Sequence, residues 1–290
     1  MPDSKPGLFD RALRAEQRGN KEIRDLWQRY QGHRQQVTAA ILALAPASGG
    51  RLCLLGAGNA NDLDLEQLAG RFEEVHLVDI DAAALARATG RQTPAVRARL
   101  RSHAPVDVSG LYQQLAKWDV AQSPLPPVGA LVDSGAAAVL AQLPSGFDVV
   151  ASCCVLSQMS WALEQLLTPD AGTLALMQQA LLRIHLRAML ALIRPAGAAL
   201  LVADQVSTAA YPLDDLQPDD DLGALAARLA ADRVTYPVCN PELVRQMLRR
   251  DPDLAAVGQP PELAAPWLWN GPKQQTYLVL PMVLRRRQGR

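Results

Sequence analysis

The chain has 290 residues, of which 49% are hydrophobic and 20% are charged. This composition supplies enough apolar side chains for a large buried core and excludes an intrinsically disordered protein. The 29 Lys and Arg residues are balanced by 29 Asp and Glu residues. Nucleic-acid-binding domains usually carry a basic excess, so we expect no nucleic acid partner.

The four cysteines indicate the redox compartment. Cys53, Cys153, Cys154 and Cys239 form no CxxC pair, and two of them are adjacent within an apolar run. This pattern predicts buried, reduced thiols and no metal site. The polar N-terminal residues resemble no secretory signal, and no run approaches the roughly 18 apolar residues of a membrane span. We therefore expect a cytoplasmic protein without a membrane partner.

Two kinds of segment alternate along most of the chain. Residues 1–48 have apolar side chains at helical spacing, which predicts a helical N-terminal cap. Beyond them, short apolar runs predict strands at 51–55, 74–78, 147–153, 198–203 and 276–284, with a weaker strand at 96–106. Helical periodicity predicts helices at 62–71, 82–91, 173–193, 222–232 and 242–250, the first capped by Asn61 or Asp62 and the last by Asn240. Such alternation is typical of a mostly parallel sheet covered by helices on both faces.

The predicted domain organisation follows from this alternation. Residues 1–48 form the helical cap, and residues 49–290 form one α/β domain. Within the domain, residues 205–240 interrupt the alternation with an acidic run, DDLQPDDDLG. This insertion follows the fifth strand, on the side where such sheets bind ligands, and is a candidate substrate lid.

The sharpest motif is a glycine turn after the first predicted strand. In RLCLLGAGNANDLDLEQL an apolar strand runs directly into Gly56-Ala57-Gly58. Glycine permits a tight turn and a close approach to a ligand because it has no Cβ. The second strand ends at Asp79, 23 residues after Gly56, where a carboxylate can accept hydrogen bonds from both ribose hydroxyls. Together these features predict a site for a nucleoside-containing cofactor.

The spacing of the turn bears on which cofactor binds. The dinucleotide fingerprint is G-x-G-x-x-G/A, and here Asn61 occupies the sixth position. Its side chain would obstruct the close approach of the helix to a pyrophosphate. An NAD(P)-dependent oxidoreductase is therefore an alternative and not the leading interpretation.

From residue 50 onward the chain resembles the class I S-adenosylmethionine-dependent methyltransferases. LLGAGNA resembles the family's first motif, LVDID its ribose-binding acid, RLRSHAPVDVSG its third motif and FDVVASCCVLSQM its fourth. LRAMLALIRPAGAALLVAD is similar to the helix, turn and fifth strand, and TYLVLPMVL to the antiparallel seventh strand. The resemblance implies a Rossmann-like, mostly parallel seven-stranded sheet with an antiparallel last strand, and S-adenosylmethionine as cofactor.

The same resemblance implies a set of cofactor contacts and one departure. Asp107 would meet the adenine amino group, with Asp119 as a rival. Leu54 stands where the family often has an acid. The contact to the methionine amino group would therefore come from backbone carbonyls or from another side chain. The implied cofactor-binding residues are Gly56, Ala57, Gly58, Asn59, Asp79, Ile80, Asp107, Val108, Ser152 and Cys153.

Catalytic residues are harder to predict, because methyl transfer needs neither a covalent nucleophile nor a metal. A general base is required only when the acceptor must lose a proton. The candidates are His185 in a long helix, Gln158 and Ser157 after the fourth strand, and His33 in the N-terminal cap. His33, with Arg34, either contacts the cofactor carboxylate or substrate or lies on a solvated helix face. The adjacent Cys153 and Cys154 are interpreted as packing groups.

The acceptor is the least determined part of the prediction. Trp267 and Trp269 are two residues apart on an extended segment and point to one side, where they wall an acceptor pocket or cover the sheet edge. The leading interpretation is methyl transfer from S-adenosylmethionine to a small molecule. The alternatives are a non-catalytic nucleoside-binding scaffold, because a fold does not fix a function, and the oxidoreductase named above.

Overall fold

The computed structural model describes residues 7–116, 118–119, 122–217 and 219–287. Its strands are β1 (Arg51–Leu55), β2 (Glu74–Val78), β3 (Leu100–His103), β4 (Phe147–Cys153), β5 (Ile193–Ser207), β6 (Glu262–Leu263), β7 (Trp267–Asn270) and β8 (Thr276–Arg285). Its α-helices are α1 (Leu8–Ile23), α2 (Gln31–Leu42), α3 (Leu65–Arg71), α4 (Ala82–Gly90), α5 (Pro94–Arg97), α6 (Val128–Leu140), α7 (Val155–Leu167), α8 (Ala171–Leu192), α9 (Leu222–Ala231), α10 (Pro241–Arg250) and α11 (Pro252–Val257).

The strands form one sheet in the order β3-β2-β1-β4-β5-β8-β6, with β7 also paired to β8. Strands β1 to β5 are parallel to one another, and β8 is antiparallel to β5. The predicted Rossmann-like α/β fold and its antiparallel last strand are therefore confirmed. The sheet of the described residues has eight strands and not the predicted seven, because the outer edge of β8 pairs with two short strands.

Both faces of the sheet are buried, as expected for parallel strands. In β1, Cys53 and Leu55 belong to a core shared with α6, α7, α8 and α10. Leu52 and Leu54 point the other way, into a core shared with α2, α3 and α4. Two-sided burial explains why these strands are apolar throughout and do not alternate.

Several predicted elements differ from the observed ones. The segment predicted as a strand at 96–106 divides into α5, which begins with Pro94 behind the cap Thr93, and the shorter strand β3. Helix α3 begins three residues later than predicted, because its N-cap is Asp64 and neither Asn61 nor Asp62. Asn240 does cap α10, as predicted. Helices α6 and α7 were not predicted.

The N-terminal helices and the segment predicted as an insertion, residues 205–240, both pack against the domain. Helix α1 lies against α7 and α4, and α2 lies against α3 and β7. Within the insertion, α9 packs on Val206 and Leu278 through Leu225 and Leu229. No helix among the described residues has the length and apolar character needed to cross a membrane.

Candidate functional site

The strand order places a cleft at the carboxyl ends of the central strands. From β1 the chain winds outward to β2 and β3 and then returns to β4 on the other side of β1. Ligands of doubly wound sheets bind at such a switch point, where the connections diverge and leave a crevice. A cavity that is open to solvent lies here, lined by residues that follow β1, β2, β3 and β4.

The glycine turn forms the floor of this cavity. Gly56 and Gly58 have positive φ angles of 71° and 48°. A Cβ on Gly56 would lie 2.6 Å from Cγ2 of Val155. The amides of Gly56 and Ala57 both donate to the carbonyl of Val78, at 2.9 and 3.0 Å. These contacts hold the turn tightly against the ends of β2 and β4, where a side chain could not be accommodated.

Asp79, at the end of β2, is tied to this turn. Its Oδ2 accepts from the Gly58 amide at 2.8 Å, and its Oδ1 accepts from the Asp81 amide at 2.8 Å. Each oxygen keeps a second lone pair for a ligand, because a carboxylate oxygen can accept twice. Burial and then the charge of Asp81 raise the Asp79 pKa to about 6, against the lowering effect of hydrogen bonds from the amides of Asp81, Gly58 and Ile80.

Asp107 also lines the cavity, whereas Asp119 is not among its lining residues. The Asp107 carboxylate stabilises the loop that follows it. Its Oδ1 accepts from the Ser109 amide at 3.0 Å, and its Oδ2 accepts from the Tyr112 amide at 2.9 Å. A carboxylate oxygen can accept two hydrogen bonds, so Oδ2 could also accept from a donor such as an amino group. The position favours Asp107 over Asp119 as the adenine-binding candidate.

Helix α1, in the predicted N-terminal cap, supplies a wall whose residues the sequence did not single out. Glu16, Asn20 and Ile23 line the cavity. Three hydrogen bonds hold the helix in place: Asn59 Nδ2 donates to the Asn20 carbonyl at 2.7 Å, Asn20 Nδ2 donates to Asp81 Oδ2 at 3.1 Å, and Asn61 Nδ2 donates to the Ile23 carbonyl at 2.7 Å. Burial, followed by the charges of Asp79 and Asp81, raises the Glu16 pKa to about 7.

Most of the predicted cofactor-binding residues meet at this cavity. Those lining it are Gly56, Ala57, Gly58, Asn59, Asp79, Ile80, Asp107, Val108 and Cys153. Ser152 is the exception. It is fully buried, and its Oγ lies 2.8 Å from Nε2 of His185. The side chain of a strand residue adjacent to Cys153 points to the opposite face, which is why Ser152 faces the interior.

Two of the predicted catalytic candidates follow β4 and differ in their surroundings. Gln158 lines the cavity and donates through Nε2 to the Cys154 carbonyl at 2.9 Å. Ser157 instead hydrogen-bonds the carboxylate of Asp204 in β5, at 2.6 Å from Oδ2. Asp204 is buried with no cationic neighbour in contact among the described residues, and burial raises its pKa to about 7.

The two histidine candidates are packed inside the protein. His33 is 3% exposed, accepts from Trp267 Nε1 at 3.0 Å and stacks on Trp269 at 4.1 Å between ring centroids. It therefore lies neither on a solvated helix face nor in the cavity wall, and burial lowers its pKa to about 3. His185 is fully buried behind Ser152, and burial lowers its pKa to about 4. Both side chains are neutral at pH 7, and neither of them lines the cavity.

Cysteines and tryptophans complete the surroundings. All four cysteines are free and buried, as predicted. Burial raises the pKa of the Cys153 and Cys154 thiols above their ordinary value. These thiols are therefore protonated and poorly nucleophilic. Trp267 and Trp269 point to the same buried side of β7, where they cover α2 and not an open pocket.

Asp62 is a cavity residue with an unsatisfied side-chain oxygen. It lines the cavity, and its buried Oδ1 has no hydrogen-bond partner. Burial raises its pKa to about 7, although the charge of Arg34 opposes the shift. From the sequence it was considered only as a helix cap. The available signal in the sequence was Asn-Ala-Asn-Asp directly after the glycines, which places three polar side chains close together in this loop.

Comparisons with known proteins concern the fold. No protein-family model and no curated protein matches the chain. Among solved structures, the chain is similar to magnesium protoporphyrin IX methyltransferase from Synechocystis PCC 6803 with bound SAH, at 13% identity and a TM-score of 0.42, covering 88% of this chain and 84% of that one. It is also similar to the N-methyltransferase NodS from Bradyrhizobium japonicum WM9 in complex with S-adenosyl-l-homocysteine, at 12% identity and a TM-score of 0.39, covering 87% and 86%.

A third similar structure is an O-methyltransferase family protein from Burkholderia thailandensis, at 14% identity and a TM-score of 0.42, covering 97% of this chain and 62% of that one. Methyltransferases are the family that the sequence motifs resemble. Similarity at this level carries no information about what this chain binds, and its function is inferred from its own cavity.

Proposed function

We propose that the protein is an S-adenosylmethionine-dependent methyltransferase. The observation that carries the proposal is the meeting, around one cavity, of the glycine turn, Asp79 and Asp107. They come from three different strand ends that are far apart in the sequence. A plain strand-to-helix turn would not require two further acids to face the same space.

The residues present fit this cofactor. The turn at Gly56 and Gly58 leaves open the space that Cβ atoms would fill. Asp79 offers acceptor lone pairs for ribose hydroxyls, and Asp107 offers one for an adenine amino group. When bound, S-adenosylmethionine supplies an electrophilic methyl group on a positively charged sulfonium.

The chain's own contribution would be to position the reactants and to exclude water. Cys153, Val155 and Met159 line the cavity beyond β4 and make that end apolar. Burial of this kind strengthens electrostatic interactions and holds an acceptor against the reacting carbon. Gln158 would orient the acceptor through its side-chain carbonyl, because its amide group is already bonded to Cys154.

We further propose a small-molecule acceptor in a cytoplasmic setting. The equal numbers of acidic and basic residues offer no general attraction for nucleic acid. The cavity lies between secondary-structure elements, with α1 and α7 both contributing to its wall. Four reduced thiols fit a reducing compartment.

Calorimetric titration with S-adenosylmethionine, S-adenosylhomocysteine and NAD in parallel tests the proposal. Micromolar binding of the first two, without binding of NAD, is the expected result. Binding of NAD alone would support the oxidoreductase, and Asn61 would then have to tolerate a pyrophosphate. Absence of binding for all three would favour a scaffold that has the fold without the chemistry.

A further inference from the structure

Unpaired polar atoms are concentrated beside Asp62. Among the described residues, the buried side-chain atoms without a hydrogen-bond partner include Tyr30 OH, His33 Nε2, Asn61 Oδ1 and Asp62 Oδ1. We call the space around these four side chains the Asp62 recess. Nearly all buried polar groups of folded proteins have partners, so a cluster of unpaired ones indicates a missing ligand or water.

Two of the four side chains of the recess, Asn61 and Asp62, line the cofactor cavity. The side chain of Asp62 is 26% exposed, whereas its Oδ1 and the other three unpaired atoms are enclosed. Tyr30 lies close enough for the Asp62 charge to contribute to the raised pKa of the phenol. A ligand in the cavity therefore meets the exposed part of the Asp62 side chain, and the enclosed atoms are the neighbours of that side chain.

The carboxylate of Asp62 has no counterion in contact. His33 Nε2 lies 3.8 Å away, but the ring is neutral because burial lowers its pKa to about 3. The nearest guanidinium, of Arg34, is committed elsewhere. Its Nη1 donates to the carbonyls of Trp27 at 2.7 Å and Asn61 at 3.0 Å, and its plane lies over the Trp27 ring at 3.4 Å.

The acceptor atoms of the recess match one kind of ligand group. Asn61 Oδ1 and Asp62 Oδ1 are acceptors only, and the phenol oxygen of Tyr30 can accept or donate. His33 Nε2 is a donor, because Nδ1 accepts from Trp267 and the neutral ring therefore carries its proton on Nε2. A primary ammonium carries three N–H donors and no acceptor, together with the charge that the carboxylate lacks. A carboxylate or phosphate would be repelled by Asp62.

From this geometry we infer that the Asp62 recess binds a primary ammonium group of the cavity's ligand. The inference rests on the proposed function for the identity of that ligand. The ammonium is either the amino group of the cofactor's methionine, for which Leu54 offers no acid, or the amine of the methyl acceptor. Leu54 is itself buried in the core shared with α2 and α3, so it makes no polar contact there.

Binding by the isosteric variant Asp62→Asn tests the inference. The ligands are S-adenosylhomocysteine and 5′-methylthioadenosine, which has the same adenosine and sulfur but lacks the amino-acid part. If the ammonium is the cofactor's, the variant should bind S-adenosylhomocysteine about tenfold or more weakly, since a charged hydrogen bond contributes about 1.5–3 kcal/mol, and bind methylthioadenosine as the wild type does. Asp215→Asn, at an exposed acid outside the cavity lining, is the matched control.

A second titration tests whether the ammonium group belongs to the methyl acceptor. Phenethylamine and its isostere 2-phenylethanol are titrated into protein saturated with S-adenosylhomocysteine. Unchanged S-adenosylhomocysteine binding, combined with a preference for the amine that Asp62→Asn removes, would assign the recess to the acceptor. The inference is overturned if the variant changes neither arm, or if it weakens S-adenosylhomocysteine and methylthioadenosine equally.

The proposed function can fail separately. Wild-type protein that binds no S-adenosylhomocysteine contradicts the cofactor proposal, and the amines are then titrated into the ligand-free protein. Selective binding of phenethylamine by the wild type but not by Asp62→Asn would still support the recess. Equal or absent binding of both compounds would overturn it.

Discussion

At the scale of single residues, the two carboxylate oxygens of Asp79 have both a structural role and a proposed ligand-binding role. It accepts the amides of Gly58 and Asp81, which shapes the turn, and it offers its remaining lone pairs to the cavity. An acid in this position is expensive to bury, as its raised pKa of about 6 indicates. The cost is explained if a ligand supplies the missing hydrogen-bond donors.

We expect Asp79→Ala to weaken S-adenosylhomocysteine binding by at least about tenfold, because two charged hydrogen bonds to the ribose would be lost. Calorimetry measures the affinity, and circular dichroism checks that the variant is folded. Asp148→Ala would not be a suitable control, since Asp148 pairs with Arg194; the exposed Asp215 is suitable. Unchanged affinity in a folded variant would remove Asp79 from the ribose site.

Asp204 gives a second prediction at this scale. Its pKa of about 7 in the folded protein lies above the ordinary value of 3.8, because the charged form is desolvated. The unfolded chain therefore releases this proton at lower pH, and the group costs stability increasingly as pH rises from 4 to 7. Asp204→Asn should raise the melting temperature by several degrees at pH 8 and by little at pH 4.

Thermal melts of wild type and Asp204→Asn across this pH range isolate the contribution of the one carboxyl group. Ser157→Ala is the informative counterpart, since it removes the hydroxyl that hydrogen-bonds Asp204. It should lower the melting temperature where the acid is ionised. A difference between wild type and Asp204→Asn that does not vary with pH would contradict the assigned pKa.

At the scale of elements, the glycine turn is the most constrained segment. A Cβ on Gly58 would lie 3.0 Å from Oδ1 of Asn20 and 4.0 Å from Oδ2 of Asp79, in a backbone conformation that disfavours other residues. Gly58→Val should abolish cofactor binding while the chain still folds, since the strain of a left-handed residue is about 1–2 kcal/mol.

Titration of Gly58→Val with S-adenosylhomocysteine measures the effect. Gly70→Val is the matched control, because Gly70 is exposed in α3 and a Cβ there meets nothing within 4 Å. We expect this control to bind like the wild type. Normal binding by Gly58→Val would reduce the turn to a structural connection.

Strands and helices could be predicted where their burial requires a distinct pattern of apolar residues in the sequence. The bounds of β1, β2 and β4 agree with the prediction because strands covered on both faces are apolar throughout. β3 lies at the sheet edge, and two of its four residues are exposed, so its pattern merged with that of α5. α6 is apolar over much of its surface and has no side-chain cap, which left its start without a signal.

In the candidate site, too, some residues could be predicted from local sequence and others could not. Gly56, Asp79 and Asp107 follow strand ends, and local sequence is sufficient to locate them. Glu16 and Asn20 reach the cavity only because α1 docks on α4 and α7, a contact that tertiary packing decides. The roles of His33 and Ser152 depended on which way one side chain points, and helical or strand spacing alone did not determine it.

At the scale of the whole molecule, the cavity collects acids whose titration lies near neutrality. The Asp79 pKa is about 6, and those of Glu16 and Asp62 are about 7. His33 stays neutral behind them, and Arg34 is bonded to backbone carbonyls. As pH rises through 6 and 7 the cavity wall therefore becomes more negative.

This charging predicts a pH-dependent preference between two ligands that differ in one charge. S-adenosylmethionine carries a sulfonium, and S-adenosylhomocysteine a neutral sulfur. A unit charge at about 10 Å contributes about 1.7 kcal/mol at an effective dielectric constant of about 20. The affinity ratio in favour of S-adenosylmethionine should thus increase by about fivefold or more between pH 6 and 8, allowing for screening. Parallel calorimetry measures it, and a constant ratio would contradict the assigned titrations.

The reactivity of the four buried thiols can be used to measure how often the folded structure opens around each of them. Each cysteine is enclosed in the folded chain, so a chromogenic thiol reagent can label it only when the surrounding structure parts. Cys53 lies in the middle of β1 and would report unfolding of the sheet, whereas Cys153 borders the cavity and would report movement at its mouth. Labelling rates measured for each cysteine would distinguish local opening at the cavity from global unfolding, and no cysteine would have to be introduced by mutation.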